Sequence, residues 1–356
     1  MEERPAKRDL RLEVKSFASN LKPQTLSVRY GMVEMKTIKK IPLQKIDVLD
    51  ETFSVNFMPD LRRLRSSIEE MDLIQPVFLR EKSSGYQIVS GFRRISIIKE
   101  LGNSEIESKV FGEKEMDDFR FFSLYLHENL TTRGFNTVEK AIALDKLVHR
   151  FQIDPTVVIK TFLPLFSLEP NEKILNTYLS LAQMEDSIKR YVLKEEVSRS
   201  NIRKFSALTP EDRMVVLSLI STLKLGENRL REILTLLEEI SRRDRFKVRE
   251  IVDREELQTV LSQKELTPSQ RTERVKKVLM DFRYPRIRQL EESFEKKRKG
   301  LNLPSSVSLR HQPYFEGKGM GIEFQFETVE EYRSILSSLS QLAEKKEFQE
   351  LIKSVG

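Results

Sequence analysis

The feature that most constrains the fold of this chain is a change of residue pattern near position 113. Before it, short apolar and β-branched runs predict strands, and two longer amphipathic stretches, at residues 60–73 and 93–102, predict helices. The predicted strands are IPLQKIDVL (41–49), QPVFLRE (75–81), YQIVSG (86–91) and IESKVFG (106–112). Beyond residue 113 the pattern is almost wholly helical to about residue 300. The sequence therefore predicts an α+β protein, with a small α/β domain followed by a helical domain.

The C-terminal residues change character again. Residues 306–328, SVSLRHQPYFEGKGMGIEFQFET, alternate like a β-hairpin with its turn near Gly317–Gly321, and residues 329–353 have a helical pattern. A ββα unit of this size buries little apolar surface alone, so we expect it to dimerise. The predicted segments are a flexible N-terminal arm (1–40), the α/β domain (41–135), a helical domain (136–227), a charged helical segment (228–300) and a C-terminal dimerisation domain (301–356).

Composition excludes several classes of protein. The chain has no cysteine, so disulfides, thiolate zinc sites, iron–sulfur clusters and cysteine nucleophiles are ruled out. Its three histidines are scattered, which argues against a histidine-built metal site. No stretch approaches the roughly 20 apolar residues of a membrane span, and the N-terminal residues lack the apolar core of a signal peptide. A cytoplasmic protein that does not enter a membrane is predicted.

The positive charge is concentrated in one part of the chain. The formal charge is +7, and residues 241–300 alone hold 18 Lys and Arg against 11 Asp and Glu, which equals the whole excess. Such clustering favours a polyanionic partner, most commonly nucleic acid, and we select Lys276 and Lys277 as duplex contacts. Glu and Asp are interleaved throughout, so a solvated helix face is the alternative.

The most informative local feature is YQIVSGFRRISIIKELG. A predicted strand runs into Ser90 and Gly91, and a helix begins at once with Arg93 and Arg94 in its first turn. Cations at that end oppose the helix dipole, and a bound anion would compensate for them, since a helix N-terminus offers free N–H groups. The pattern indicates a phosphate site. Surface arginines paired with nearby glutamates are the alternative.

The second feature is HENLTTRGFNTVEKA. Glu128 and Asn129 fall in the last turn of a predicted helix, and a carboxylate beside an amide suits Mg²⁺ or phosphate contacts. Asn136 and Glu139 then form a capping-box pair at the start of the next helix.

Together these segments resemble the ParB family of chromosome and plasmid partition proteins. SGFRRISI is similar to the family's Gly-x-Arg-Arg phosphate motif, and HENLTTRGFNTVEKA to its Glu-Asn-Leu motif followed by Asn-x-x-Glu-x-Ala. QPVFLR is similar to the Gln-Pro strand that lines base and ribose. The resemblance begins at Ile41 and runs to the C-terminus. It implies a ParB/sulfiredoxin-like CTP-binding domain, a central helix-turn-helix domain that reads DNA and a C-terminal dimerisation domain.

The resemblance also implies a mechanism. CTP with Mg²⁺ closes the homodimer into a clamp that slides along double-stranded DNA on the nucleoid, slow CTP hydrolysis assists release, and a ParA-like ATPase is a partner. The nucleotide-binding residues it implies are Gln75, Arg80, Gly91, Arg93, Arg94, Asn129 and Arg133. Glu128 takes the catalytic role and, with Asn129, that of a Mg²⁺ ligand.

The chain departs from the family pattern at three positions. Phe92 stands where the family often has Glu, Ile97 replaces a small Ala, and Thr132 occupies the place of an arginine, with Arg133 displaced by one. These departures favour nucleotide binding over hydrolysis. Sulfiredoxin activity is excluded, because it needs a cysteine in the loop where Phe92 stands.

The predicted helix-turn-helix is also unusual. Its turn, SLEP, has no glycine, and Pro170 suits the first position of the second helix. The side chains selected for DNA contact are Asn171, Lys173, Asn176 and Thr177. A helical hairpin with a purely structural role is the alternative.

Three functions remain open from the sequence. A CTP-dependent segregation clamp is the preferred interpretation. A transcription or nucleoid-occlusion regulator would use the same parts. A metal-dependent ParB-like nuclease would need a carboxylate cluster around Glu128.

Overall fold

The protein is described by a computed structural model at residues 37–315, 317 and 319–355. The chain divides into two compact units, Met1–Phe135 and Asn136–Gly356. Residues 1–36 of the predicted arm lie outside the described residues. The prediction is wrong at the end of the arm, because Ile38–Pro42 already form a strand that pairs with the sheet.

The first unit contains a five-stranded mixed sheet in the order β1-β5-β3-β4-β2. Its strands are β1 (Ile38–Pro42), β2 (Ile46–Asp47), β3 (Val77–Lys82), β4 (Gly85–Ser90) and β5 (Glu105–Phe111). β1 pairs antiparallel with β5 and β3 with β4, whereas β3 with β5 and β2 with β4 are parallel. The predicted strand at 41–49 is interrupted by a 3-10 turn at Leu43–Lys45, which carries the chain from one edge of the sheet to the other.

Three helices accompany this sheet in the described residues: α1 (Arg62–Met71), α2 (Phe92–Glu100) and α3 (Asp118–Thr132). One apolar cluster contains side chains of α1, α2 and the strands, among them Ile68, Ile95, Leu79 and Ile88. Ile97, which stands where the ParB family has a small Ala, is fully buried in the same cluster. The larger side chain therefore packs inside the core.

The turn from β4 into α2 requires glycine. Gly91 has a φ of +106°, in the left-handed region that side chains rarely adopt. A Cβ placed there would lie 2.5 Å from Val77 Cγ1 and 2.8 Å from Val77 Cβ. The first turn of α2 is therefore fixed against the start of β3.

The second unit begins with helices and ends with a small sheet. Its helices up to residue 300 are α4 (Thr137–Asp145), α5 (Pro155–Val157), α6 (Leu163–Leu165), α7 (Glu172–Ala182), α8 (Asp186–Lys194), α9 (Arg199–Ser206), α10 (Pro210–Ser221), α11 (Glu227–Asp244), α12 (Val248–Val252), α13 (Glu255–Ser262), α14 (Pro268–Arg283) and α15 (Pro285–Gly300). Two π-helical turns, Lys146–Arg150 and Val158–Phe162, lie between α4 and α6.

Capping explains where several of these helices begin. The predicted capping box at α4 is confirmed, because Asn136 accepts from the Glu139 N–H at 2.8 Å and Glu139 accepts from the Asn136 N–H at 3.2 Å. Thr209 caps α10 through its hydroxyl, which accepts from the Asp212 N–H at 3.2 Å. The prediction for Pro170 is wrong. Asn171 is the cap of α7 and Pro170 precedes it, because the Asn171 side chain accepts from the Lys173 N–H.

The predicted boundary between residues 227 and 228 falls inside this helical unit. The Lys224 N–H donates to Thr272 Oγ1 at 3.1 Å across it. Three ion pairs also join α11 to α14 in a parallel register: Arg229–Glu273 (2.7 Å), Glu232–Lys276 (2.9 Å) and Glu239–Arg283 (2.8 Å). These three pairs are called the α11–α14 ladder below.

The C-terminal elements are β6 (Val307–His311), β7 (Met320–Phe324), α16 (Val329–Ala343) and α17 (Lys346–Val355). β6 and β7 pair antiparallel, as predicted, but Gly321 lies within β7 rather than in the turn. The single predicted helix is two, separated at Glu344 and Lys345. Phe294 of α15 shares a small core with this unit, together with Leu301, Leu309, Leu342 and Leu351. The predicted boundary at residues 300 and 301 therefore crosses a core.

Within the part of the chain that the structure describes, none of the helices combines the length and the apolar character needed to cross a bilayer.

Replacing Gly91 tests how tightly this turn is fixed. Gly91→Ala should lower the free energy of unfolding by about 2–4 kcal/mol, because it adds overlap with Val77 to a left-handed φ. Gly102→Ala is the matched control: its φ is +80°, but nothing lies within 4 Å of the added Cβ. It should lose only about 1–2 kcal/mol. Equal losses in urea denaturation would contradict the close approach.

Candidate functional site

The two sequence features that suggested phosphate chemistry meet at one place in the first unit. The C-terminal end of β4 and the first turn of α2 lie against the last turns of α3. The residues joined there by hydrogen bonds are called the polar cluster: Asn56, Ser90, Arg93, Arg94, Glu128, Asn129 and Arg133.

Glu128 is the acceptor at the centre of the polar cluster. Its Oε1 accepts from Arg94 at 2.7 Å, and its Oε2 accepts from Ser90 Oγ at 2.6 Å and from Asn129 Nδ2 at 3.0 Å. The side chains of Arg94 and Glu128 are each only 13% exposed. Such a pair, largely removed from water, is held more firmly than a surface ion pair.

Arg94 also fixes the entry to β3. Its guanidinium donates to the backbone oxygens of Gln75 at 3.1 Å and Pro76 at 3.2 Å. The predicted residue Gln75 is thus brought to the polar cluster through its carbonyl oxygen.

A second chain of hydrogen bonds runs through Asn129. Asn129 Nδ2 donates to the Tyr125 carbonyl at 2.9 Å, and Asn129 Oδ1 accepts from Arg133 Nε at 2.9 Å. Arg133 is the C-cap residue of α3, so its side chain turns back to this helix although it is displaced by one from the family position. The displacement therefore leaves an arginine in the polar cluster.

Asn56 is a member of the polar cluster that the sequence did not reveal. Its Oδ1 accepts from Arg93 Nε at 2.9 Å and from an Arg133 nitrogen at 3.4 Å. It lies in the loop between β2 and α1, where no periodicity or motif marks it. Phe92 faces elsewhere: its ring meets Tyr125 edge to face, with 6.1 Å between centroids.

Arg80, which the sequence predicts to bind nucleotide, lies outside the polar cluster. It pairs with Gln87 in the β3–β4 register, well back from Ser90 at the end of β4. Its side chain donates to Asp118 at 2.6 Å and to the Glu113 carbonyl at 2.9 Å, and only 8% of the residue is exposed. Arg80 is a buried cation that ties the sheet to the start of α3.

The polar cluster suits an anion better than a metal ion. Gly91 provides no side-chain cap for α2, which leaves the first turn with N–H groups for a ligand, and Arg93 and Arg94 lie in that turn. By contrast, the oxygens of Glu128 and Asn129 already accept from arginines and an amide. Within the described ranges, no group of three or more His, Cys, Asp and Glu could hold a metal ion. The predicted Mg²⁺ ligands do not fit that role as they are arranged.

A separate cleft lies elsewhere in the first unit. It has a volume of about 270 Å³ and is lined mainly by polar residues that include Lys45, Asp47, Lys82 and Gln87. None of its lining residues belongs to the polar cluster. The convergent side chains of the polar cluster have a more specific chemistry than the lining of this cleft.

Helix α7 presents part of the predicted DNA-binding set. Asn171, Lys173 and Asn176 are exposed. Thr177 is buried, and its hydroxyl donates to the Lys173 carbonyl at 2.7 Å, so it cannot serve as a surface contact. The prediction for Thr177 is therefore wrong.

The turn before α7 is made without glycine. Ser167 takes the left-handed conformation, with a φ of 58°, and its N–H donates to the Pro164 carbonyl. Lys140 of α4 donates to the Phe166 carbonyl at 2.9 Å, and burial lowers the pKa of this lysine. A cation at the end of a helix stabilises the exposed carbonyl groups there.

Many cations of the basic segment are already paired within the unit. Lys276 belongs to the α11–α14 ladder, whereas Lys277 is exposed. Arg243 pairs with Asp244 and donates to the carbonyls of Phe282 and Arg283 at the end of α14. The solvated and paired helix face is thus the better description for much of this segment.

Comparison with known proteins finds a family similarity within the first unit. Residues 24–130 match the ParB N-terminal domain family. A probable chromosome-partitioning protein ParB of Vibrio cholerae is 24% identical over 157 residues, which are 44% of this chain and 50% of that protein. A nucleoid occlusion protein of Halalkalibacterium halodurans is 24% identical over 148 residues, 42% of this chain and 49% of that protein.

Solved structures also match. A crystal structure of the C-terminally truncated ParB from Caulobacter crescentus, complexed with CTP-gamma-S, is 20% identical with a TM-score of 0.24. That match covers 52% of this chain and 98% of the other. This chain spans about half the length of the curated relatives it matches. The similarity to ParB-family proteins is therefore reported for residues 24–130, which match the ParB N-terminal domain.

Proposed function

We propose that this protein is a ParB-type, nucleotide-dependent DNA-binding protein. It binds CTP at the polar cluster, binds double-stranded DNA through its helical unit, and acts on the nucleoid as a homodimeric clamp in chromosome or plasmid segregation. One observation carries the proposal: Gly91, Arg93 and Arg94 meet Glu128 and Asn129 at one place, inside a ParB N-terminal domain.

The polar cluster has the chemistry of a triphosphate site. A phosphate at the start of α2 would accept from backbone N–H groups and from guanidinium groups, which form short charge-assisted bonds. Slow CTP hydrolysis is not part of the proposal. Glu128 already accepts three hydrogen bonds, which are the contacts of a side chain that holds its neighbours in place.

The DNA contacts we propose are of two kinds. Lys277 and the other exposed cations of the basic segment attract any duplex, because phosphate contacts carry no base information. Asn171, Lys173 and Asn176 on α7 are the residues proposed to read bases.

Dimerisation through the C-terminal unit is supported by its exposed apolar side chains. Ile322, Phe326, Val329, Tyr332 and Leu336 are all at least 37% exposed, on β7, α16 and the link between them. Side chains of this size are rarely left in water together on a monomer. A second copy would cover them.

A role in nucleoid occlusion is the second candidate, because relatives that match this chain include proteins of that name as well as chromosome-partitioning proteins. A ParA-like ATPase partner would favour segregation. A nuclease is disfavoured, since among the described residues no carboxylate cluster surrounds Glu128.

Nucleotide binding is tested by removing Arg94. Arg94→Ala should raise the Kd for CTP at least about tenfold, because a charge-assisted phosphate contact is lost. Arg65→Ala is the control, since Arg65 pairs with Glu69 and Glu100 on an exposed surface outside the polar cluster. Calorimetry should show unchanged CTP affinity in the control. The same affinity in Arg94→Ala would refute the site.

Non-specific DNA binding is tested at Lys277. Lys277→Ala should weaken binding to all duplexes equally and reduce the slope of log K against log salt by about 0.9, as expected for one lost phosphate contact. Lys276→Ala removes a neighbouring charge that is paired with Glu232 and should change the slope less. Fluorescence anisotropy across a salt series distinguishes the two variants. Equal slopes would contradict the assignment.

Base reading is tested on α7 with the cap preserved. In the double variant Asn171→Ser, Asn176→Ala, the serine retains an N-cap oxygen while both amides are removed. Affinity for sites enriched in a genome-wide pull-down should fall by about 1–3 kcal/mol per lost base contact, with random-duplex affinity unchanged. If no motif is enriched, or specific binding survives, the hairpin is structural.

The dimer is tested with a charge on the apolar surface. Leu336 is 40% exposed, and Leu336→Glu should shift the protein from dimer to monomer in sedimentation, because the carboxylate would be buried without a partner. Met214→Glu, at a side chain on α10 with 43% exposure, should remain dimeric. A dimeric Leu336→Glu variant would place the interface elsewhere.

A further inference from the structure

Two exposed aromatic rings lie where the basic segment turns from one helix to the next. Phe246 follows the end of α11, and Tyr284 joins α14 to α15. The exposed fractions of the two residues are 43% and 36%. Single apolar side chains are often exposed on a folded protein, but aromatic rings that contact arginines inside a basic segment are the side chains that bind nucleic acid.

The segments that carry the two rings are joined by arginines. Arg243 of α11 donates to the Phe282 carbonyl at 2.7 Å, two residues before Tyr284. The guanidinium carbon of Arg254 lies 5.1 Å from the ring centroid of Phe246 and 4.7 Å from that of Phe282. Phe246 is thus held by a cation–π contact while much of it stays exposed. A ring held in place loses little conformational freedom when a ligand stacks on it.

Tyr284 is fixed at the junction of its two helices. Its N–H donates to the Met280 carbonyl at 2.8 Å, and its carbonyl accepts from the Arg288 N–H at 3.1 Å. The guanidinium carbon of Arg283 lies 4.9 Å from its ring centroid. Like Phe246, Tyr284 therefore combines an exposed ring with an arginine that contacts it.

The cations beside these rings favour an anionic ligand. Arg245 directly precedes the first ring, Arg286 follows the second by two residues, and both arginines are exposed. Within the part of the chain that the structure describes, neither forms an ion pair or a side-chain hydrogen bond. Asp244, next to Arg245 in the sequence, is already paired with Arg243 at 2.7 Å. The two arginines can therefore donate to phosphates.

Rings and cations together suit an unpaired strand better than a duplex. In a duplex the bases are stacked on one another, so a protein's cations meet the phosphates while the base faces stay covered. An unpaired strand offers its phosphates and its base faces, and each base stacked on an aromatic side chain adds affinity with little regard to sequence. Lys277, proposed above to contact duplex DNA, lies about two helical turns before Tyr284. A strand opened beside that duplex would be within reach of the rings.

We propose that Phe246 and Tyr284 form a stacking site for single-stranded DNA. Arg245 and Arg286 donate to the phosphates of the strand, and Arg254 is a positioning residue for the Phe246 ring. The inference rests on the proposed DNA binding and adds the unpaired strand to the forms of DNA that the basic segment binds. The stacking site includes no residue of the polar cluster or of α7.

The first test compares binding of the full chain to a labelled oligothymidylate of about 16 nucleotides and to a duplex of the same length. Tyr284→Leu should raise the Kd for the oligothymidylate at least about fivefold, because a base loses its stacking partner, and should change the Kd for the duplex less than about twofold. Tyr284→Phe keeps the ring and should bind both DNAs like the unaltered protein. Phe246→Leu should behave like Tyr284→Leu.

Leu290→Ala is the matched control. Leu290 lies on α15 with an exposed fraction of 42% but has no ring, so its loss should leave oligothymidylate binding unchanged. Duplex binding without oligothymidylate binding would overturn the inference and leave the proposed function intact, and binding of neither DNA would overturn both. An equal loss for the two DNAs in Tyr284→Leu would overturn the stacking role. The two Tyr284 variants decide the question if Phe246→Leu fails to fold.

A salt series separates the rings from the cations. Arg245→Ala should reduce the slope of log K against log salt for the oligothymidylate by about 0.7, as expected for one lost phosphate contact on a single strand. Tyr284→Leu should lower K by the same factor at every salt concentration, because stacking releases no counterions. A reduced slope in Tyr284→Leu would show that its loss is electrostatic and would overturn the assignment of this ring.

Discussion

The first unit depends on a close approach of two backbone segments, Gly91 against Val77. With hydrogen as its side chain, Gly91 lets the turn after β4 lie directly on the start of β3. Arg94, three residues on, reaches back to the carbonyls of Gln75 and Pro76 that lead into the same strand. The position of the arginines is thus set first by steric exclusion and then by hydrogen bonds. The electrostatic interactions of these arginines therefore depend on positions that packing sets.

Most of the first unit follows from residue pattern. The strands at 75–81, 86–91 and 106–112 and the helix that begins after Gly91 are local features with local causes, and the structure has them. The capping box at Asn136, where the second unit begins, has a local cause in the same sense. The meeting of the Arg93–Arg94 segment with Glu128 and Asn129 was suggested by the family resemblance rather than by pattern. The residue pattern of neither segment indicates that the two segments are in contact.

The errors arise where a residue's role depends on distant neighbours. The sequence predicts that Arg80 binds nucleotide but does not show that sheet register directs its side chain to Asp118. Thr177 belongs to the predicted recognition helix, yet packing buries its side of α7. Lys276 has its partner, Glu232, on another helix. Asn56 was missed for the opposite reason, since only the folded loop brings it to Arg93.

Net charge along the sequence is a poor guide to the charge that a partner meets. The window at 241–300 contains the whole excess of cations, but Arg243, Lys276 and Arg283 neutralise carboxylates inside the unit. What remains for DNA is the smaller set of exposed cations, of which Lys277 is one.

The α11–α14 ladder makes the contact between these two helices sensitive to ionic strength. Its members are between 30% and 55% exposed, so dissolved ions screen them over a Debye length of about 10 Å at 0.1 M. Each pair contributes at most about 1 kcal/mol, but all three weaken together as salt rises. Raising ionic strength would thus loosen the register between two helices while it also releases a bound polyanion. In this protein, added salt would therefore change the packing of α11 against α14 as well as weaken the binding of a polyanion.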